Sequence, residues 1–240
     1  TSLSKLELLK LAILDNRSHR PLNVVEQARG VQKLSPHIPV KDRLDVVAPL
    51  LGFPPNRKVY SKISALGRLP EVVLAGLLRG TLSLEAGADL SRLPPEEATA
   101  FFQVLEGLKL SQNKQREIIR LAQEIAIRED LGSAQVLQST DLRAILDSHE
   151  LNRNEKGAML RAYLKRRRFP ALVKAEEKVL KELKALKLNE YVRITPPPYF
   201  EGDSYTLSMT FKNLEGFHQR RETLNALGKN PALKRLLQPY

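Results

Sequence analysis

Residues 40–70 read VKDRLDVVAPLLGFPPNRKVYSKISALGRLP, and this stretch decides the fold. Asp42 can cap a helix in which Leu44, Val47, Ala48 and Leu51 recur at i, i+3, i+4 and i+7, one face of a 3.6-residue period. Pro49 removes a backbone donor inside that helix and predicts a kink. Gly52, Pro54 and Pro55 end it. Asn56 is a strong N-cap for a second helix that turns Val59, Ile63 and Leu66 inward. Its other face shows Arg57, Lys58, Ser61 and Lys62, and Pro70 stops it. Two short helices, a glycine-containing turn and a polar, basic outer face describe a helix-turn-helix. The turn Gly52-Phe53-Pro54-Pro55 is longer than a tight one, and similar helix pairs occur in all-α proteins that never touch DNA.

Upstream, Leu3, Leu6, Leu9 and Ile13 share one helical face. A second helix spans Leu22 to Leu34, with Asn23 as N-cap and Val24, Ala28 and Val31 on its apolar side. Downstream, helices are expected at Glu71–Arg79, Leu84–Leu90, Glu96–Leu108 and Asn113–Arg128, the last burying Ile118, Ile119, Leu121, Ala122 and Ile125. A helical hairpin, Leu142–Ser148 and Glu155–Phe169, ends in Lys165-Arg166-Arg167-Arg168. Helix Ala171–Leu188 then places Leu172, Val179, Leu183 and Leu186 on one side and five lysines around it.

After Leu188 the period changes from helical to two. Tyr191 to Thr195 reads as a strand, and Pro196-Pro197-Pro198 with Gly202-Asp203 as its connection. Tyr205, Leu207, Met209 and Phe211 alternate with Thr206, Ser208, Thr210 and Lys212, a half-buried antiparallel strand. Helices Leu214–Leu227 and Pro231–Leu237 follow. The fold class is therefore mainly α: a multi-helix domain carrying the helix-turn-helix, plus a small C-terminal α/β unit of helix-strand-strand-helix order. Boundaries fall at 1–38 (linking helices), 39–130 (the helix-turn-helix domain), 131–170 (a helical extension) and 171–240. So small a sheet leaves open edges, which a second copy would pair.

The chain has 240 residues, 39 Lys plus Arg against 27 Asp plus Glu, and a net charge of +12. Residues 151–200 hold 13 basic and 5 acidic side chains, while residues 101–150 hold 6 basic and 8 acidic. Clustered cations suit a polyphosphate partner, because they release counterions from phosphates; ordinary solubility is the other reading. The lack of cysteine excludes disulfides, thiol nucleophiles and cysteine-ligated metals. No apolar run is long enough for a bilayer and no leader pattern opens the chain, so the expected location is cytoplasmic, without membrane partners. Thr1 in place of Met predicts a piece of a longer protein. His19, His37, His149 and His218 are scattered, no glycine-rich phosphate loop is present, and no catalytic residue is assigned.

Leu11-Ala12-Ile13-Leu14-Asp15-Asn16, followed by Leu22-Asn23-Val24-Val25-Glu26-Gln27-Ala28-Arg29, resembles the junction segment of the ParB family of plasmid and chromosome partition proteins. The helix-turn-helix follows at the family's distance. Leu69-Pro70-Glu71-Val72 and Leu77-Leu78-Arg79-Gly80-Thr81-Leu82-Ser83 then resemble its Leu-Pro-Glu…Leu…Gly-Lys-(Leu/Ile)-Ser pattern. The resemblance covers about residues 8–95. Departures are Asp15 for Glu, His19 for Arg, Val24 for Pro, Thr81 for Lys, and Leu84-Glu85-Ala86-Gly87-Ala88 where Gly-His-Ala-Arg stands, so phosphate contacts of that last segment are not carried over.

The resemblance implies sequence-specific binding of double-stranded DNA by a homodimer reading an inverted repeat, nucleoid or plasmid association, and a partition ATPase as partner. A transcriptional repressor of the related KorB kind is the alternative. It also implies that a full-length parent binds and hydrolyses CTP with magnesium in an N-terminal domain that this chain lacks. Asp15 and Asn16 match only part of that nucleotide box, and their other reading is as caps of the first helix. No cofactor is expected in this chain. Candidate DNA-binding residues are Asn56, Arg57, Lys58, Tyr60, Ser61 and Lys62, then Arg68, then the run Lys165, Arg166, Arg167 and Arg168 as a backbone contact. Solvated helix faces are the competing reading for both groups.

Overall fold

The breaks in the sequence pattern become helix ends. In the computed structural model, which describes residues 3–197 and 204–238, the chain runs α1 Lys5–His19, α2 Val24–Leu34, α3 Arg43–Leu51, α4 Arg57–Leu66, α5 Glu71–Leu78, α6 Leu84–Leu90, α7 Pro95–Leu108 and α8 Gln112–Glu129. It continues α9 Ser133–Leu137, α10 Thr140–Asp147, α11 Arg153–Arg168, α12 Pro170–Ala185, β1 Val192–Thr195, β2 Thr206–Met209, α13 Leu214–Gly228 and α14 Pro231–Leu236. Among the described residues helix makes up 71% and two strands form one antiparallel sheet. Two compact units result, Thr1–Leu164 and Lys165–Tyr240. Pro198, Gly202 and Asp203, assigned to the strand connection, lie outside the described residues.

In the first unit, capping side chains fix the helix starts. Asn23 accepts from the backbone of Val25 and Glu26, while Glu26 reaches back to the Asn23 N–H at 2.9 Å, a capping box. Asn56 accepts from Lys58 and Val59 at 2.9 and 3.3 Å, opening α4. Asp42 does not cap α3 with its side chain, as the sequence had suggested. It ends a 3-10 turn, Val40–Asp42, and its helical backbone (φ −98°) differs from the extended conformation usual at an N-cap. Asp15 and Asn16 are not caps either: α1 runs on to His19, and Asn16 donates to the Ala12 carbonyl one turn back.

Glu26 also forms a fork with Arg20, at 2.8 and 2.5 Å. The Arg20 guanidinium, opposed by burial and helped by the Asn23 N–H, pulls the Glu26 carboxyl from 4.5 down to about 2. A depressed carboxyl adds stability above its unfolded value and loses it as pH falls. The Glu26 contribution should therefore fade between pH 4.5 and about 2. Carboxyl chemical shifts followed through that range check this; a Glu26 midpoint near 4.5 would contradict it.

The end of α3 is fully accounted for. Gly52 takes the left-handed conformation (φ 82°), Phe53 N–H reaches the Ala48 carbonyl and Gly52 N–H that of Pro49. This is the double closure of a Schellman turn. From α1, Arg17 Nη1 donates to the carbonyls of Pro49 and Leu50 at 2.7 and 2.8 Å, and Gln27 of α2 donates to that of Leu51 at 3.4 Å. All four orphan carbonyls of α3 thus find donors. The helix runs through Pro49 because a proline in the last turn forfeits only one bond.

The core is built by α2 on α3, α4 and α5, by α6 on α4 and α8, and by α7 on α5 and α9. On α2, Ala28 and Val31 are buried as the spacing implied, while Val25 is buried in place of the half-buried Val24. On α8, Ile118, Ile119, Leu121, Ala122 and Ile125 are buried as the spacing implied. Gln115, on the same helix, is buried too. Its amide donates to the carbonyls of Thr81 and Leu110, at 2.9 Å each, and accepts from Ser83 N–H at 3.0 Å. Gln115→Leu should cost about 1–3 kcal/mol by stranding those three groups, measurable as a shift of the urea midpoint with unchanged slope. Gly76 of α5 faces the Phe102 ring of α7, so closely that a Cβ there would overlap it.

The second unit has a small core of Val179, Leu186, Ile194, Leu227, Ala232 and Leu236. Glu182 of α12 accepts from Arg235 of α14 at 3.0 Å. The strands pair Val192 with Met209 and Ile194 with Leu207, so these four share one face. Val192 and Ile194 are buried, at 3% and 7% exposure, but Leu207 is 46% exposed. The strand expected over Tyr205–Phe211 is thus shorter, and its apolar side is unevenly covered: Tyr205 packs against the core and Met209 is half-buried, while Leu207 and Phe211 are exposed. Phe211 and Leu214 follow β2 and are exposed, at 49% and 71%.

Candidate nucleic-acid interface

The basic face of α4 arises from its cap. Asn56 starts the helix, so Arg57 and Lys58 fall in its first turn, both exposed, and neither has a carboxylate partner among the described residues. Ser61 is exposed one turn on. Arg68 is exposed just past the helix, its N–H bonded to the Ala65 carbonyl.

Two of the sequence candidates are occupied. The Tyr60 hydroxyl lies 3.1 Å from Ser35 Oγ, and its ring tilts against Phe53 with centroids 6.3 Å apart, so Tyr60 braces α4. Lys62 Nζ pairs with Glu85 of α6 at 3.2 Å. Burial pushes the Glu85 carboxyl up, but its own backbone N–H, Lys62 and Arg116 outweigh this and hold it below the ordinary value.

Between α4 and α6 lies an open groove of about 430 Å³. It brings together Arg57, Tyr60, Ser61, Lys62 and Arg68 of the sequence candidates; Asn56 and Lys58 are not in its wall. Glu85 and Arg92, which sequence reasoning did not single out, belong to this neighbourhood. Glu85 and Asp89, four residues apart, share one face of α6, while Arg92 lies just beyond its end, so spacing alone did not link Arg92 to them.

The run Lys165–Arg168 lies at the end of α11. Lys165 pairs with Glu176 at 3.3 Å and Arg166 with Glu177 at 3.1 Å, both from α12, and the Arg168 guanidinium sits 4.6 Å from the Phe169 ring centroid. These exposed pairs are weak and salt-screened, yet they lower the net positive charge that the run displays. Asp15 and Asn16 are exposed within α1. Among the described residues no group of three or more His, Asp or Glu side chains is placed to hold a metal ion, and no helix is long and apolar enough to cross a membrane.

No family model, no curated protein and no solved structure matches the chain.

Proposed function

We propose that this chain binds double-stranded DNA specifically, as a ParB-like protein, with α3 and α4 acting as a helix-turn-helix and α4 entering the major groove. The observation that carries the reading is the first turn of α4: Asn56 is committed to the cap, which leaves Arg57 and Lys58 exposed, without a carboxylate partner among the described residues, at the end of the helix that reads bases in such motifs. Ser61 follows one turn later. An Arg there can give the bidentate contact to guanine that dominates direct readout. Two copies, joined through the C-terminal unit, would read an inverted repeat. The biological role is partition of a plasmid or chromosome with a partner ATPase.

The test is a binding titration on a duplex obtained by selection from random sequence. Arg57→Ala should weaken that duplex by about 1–3 kcal/mol and relax preference at one base pair, while leaving binding to scrambled DNA much less affected. Equal affinity of the variant and the unaltered protein for the selected site would make α4 a solvated face and the molecule a scaffold.

A further inference from the structure

We propose that Arg92, outside the α3–α4 pair, is a further DNA-binding residue that grips a backbone phosphate in the groove between α4 and the end of α6. The inference rests on the DNA reading above and deepens it. Arg92 follows directly on α6, after Ser91. The Ser91 side chain is buried and its hydroxyl donates to the Ala88 carbonyl at 2.8 Å, so the backbone from which Arg92 springs is fixed. Arg92 itself is exposed and has no carboxylate partner among the described residues.

Charge accounting separates two adjoining grooves that Arg92 lines together. The one against α8, of about 450 Å³, is balanced: Arg116 pairs with Asp89 at 2.9 Å, Arg120 with Glu124 at 2.8 Å, and Glu117 with Arg161 at 2.6 Å. The one against α4 is not balanced. Its wall holds Arg57, Lys62, Arg68 and Arg92 and no carboxylate, and among the described residues Lys62 is the one of these four that forms an ion pair, with Glu85. Three guanidiniums therefore line one concave surface with the hydroxyls of Ser61 and Ser64 beside them. Guanidinium groups match the paired oxygens of a phosphodiester, and hydroxyls donate to the same oxygens. A phosphate there releases counterions and relieves the mutual repulsion of the three cations. Lys62, named by the sequence as a base reader, is held by Glu85, and Arg92 supplies the unpaired charge on that side.

The experiment is fluorescence anisotropy of the whole chain on the selected duplex and on a scrambled one, over a series of salt concentrations. Arg92→Ala should weaken both duplexes by about five- to tenfold and reduce the salt slope by about one, because a phosphate contact carries no base information. Lys62→Ala should weaken binding less than Arg92→Ala does. Arg92→Lys should retain part of the affinity, since an ammonium keeps the charge and loses the fork. Arg92 is exposed, so an unchanged thermal midpoint certifies the fold of each variant. Wild-type affinity and slope in Arg92→Ala, while Arg57→Ala weakens the selected duplex, would overturn this inference and leave the DNA reading standing. Loss confined to the selected duplex with an unaltered slope would also overturn it, by placing Arg92 on a base. Failure of the unaltered chain to bind any duplex would overturn the DNA reading itself, and this inference with it.

Discussion

For the proposed DNA-binding dimer, Leu207→Asp combined with Phe211→Asp is expected to give a monomer and to cut affinity for a paired DNA site by about 10²–10⁴-fold. Both side chains are about half exposed in the single chain, so their loss removes little of the monomer's own core. Leu207 lies on β2 and Phe211 just beyond it, Phe211 lines an open apolar surface with Leu214 and Phe217, and the sheet has only two strands among the described residues, each with a free edge. Joining two copies would cover the patch and pair an edge at once. Carboxylates placed there would have to be buried without partners, and like charges from the two copies would face each other. Affinity for a single half-site should barely change, because the fall reflects a second binding event that ceases to be intramolecular. Light scattering and titrations on single and paired sites measure the two effects separately. A variant that stays dimeric would move the interface away from this patch, to the helices of residues 71–130.

Phe102→Ala should lower the stability of the first unit by about 3–5 kcal/mol, the range for removing a large buried ring and leaving a cavity. Phe102 is fully buried, and its ring occupies the space that Gly76 leaves by having no side chain. The reverse change tests the same contact. Gly76→Ala puts a methyl group into the ring, and overpacking of this kind costs about 1–3 kcal/mol. Because the two residues touch, their effects should not add: Gly76→Ala in the Phe102→Ala background should cost less than it does alone. Denaturant unfolding of the three variants closes the cycle. Additive effects would show that α5 and α7 separate to accommodate the methyl group independently of the ring.

Caps and periodicity made most of the helical order legible. Asn23 and Asn56 announce α2 and α4 by local chemistry alone, and the apolar face of α8 follows from spacing. The helix α9 and the 3-10 turns were too short to impose a period on the sequence. Gln115 is not legible in the sequence because a polar side chain at a core position adds nothing to a hydrophobic pattern; its value lies in three groups brought to it from residues 81, 83 and 110. The alternation in residues 205–211 fixes which side chains share a face but is silent on what covers that face. Part of the candidate interface was readable because Arg57 and Lys58 sit beside their own cap. Glu85 and Arg92 required knowing that α6 packs on α4, a fact of tertiary structure, and so did the capture of Lys62.

The closure of α3 has a consequence for the thermodynamics of any ligand that α4 engages. A turn held by its own glycine, by Arg17 from α1 and by Gln27 from α2 has little conformational freedom left to lose. Its ordering was completed during folding, so the turn that leads into α4 is preorganised, and association there need not offset a loop-freezing entropy of about 0.5–1.5 kcal/mol per immobilised side chain. The heat-capacity change of binding should then track the surface buried against the ligand alone, with no added component from coupled folding of the turn.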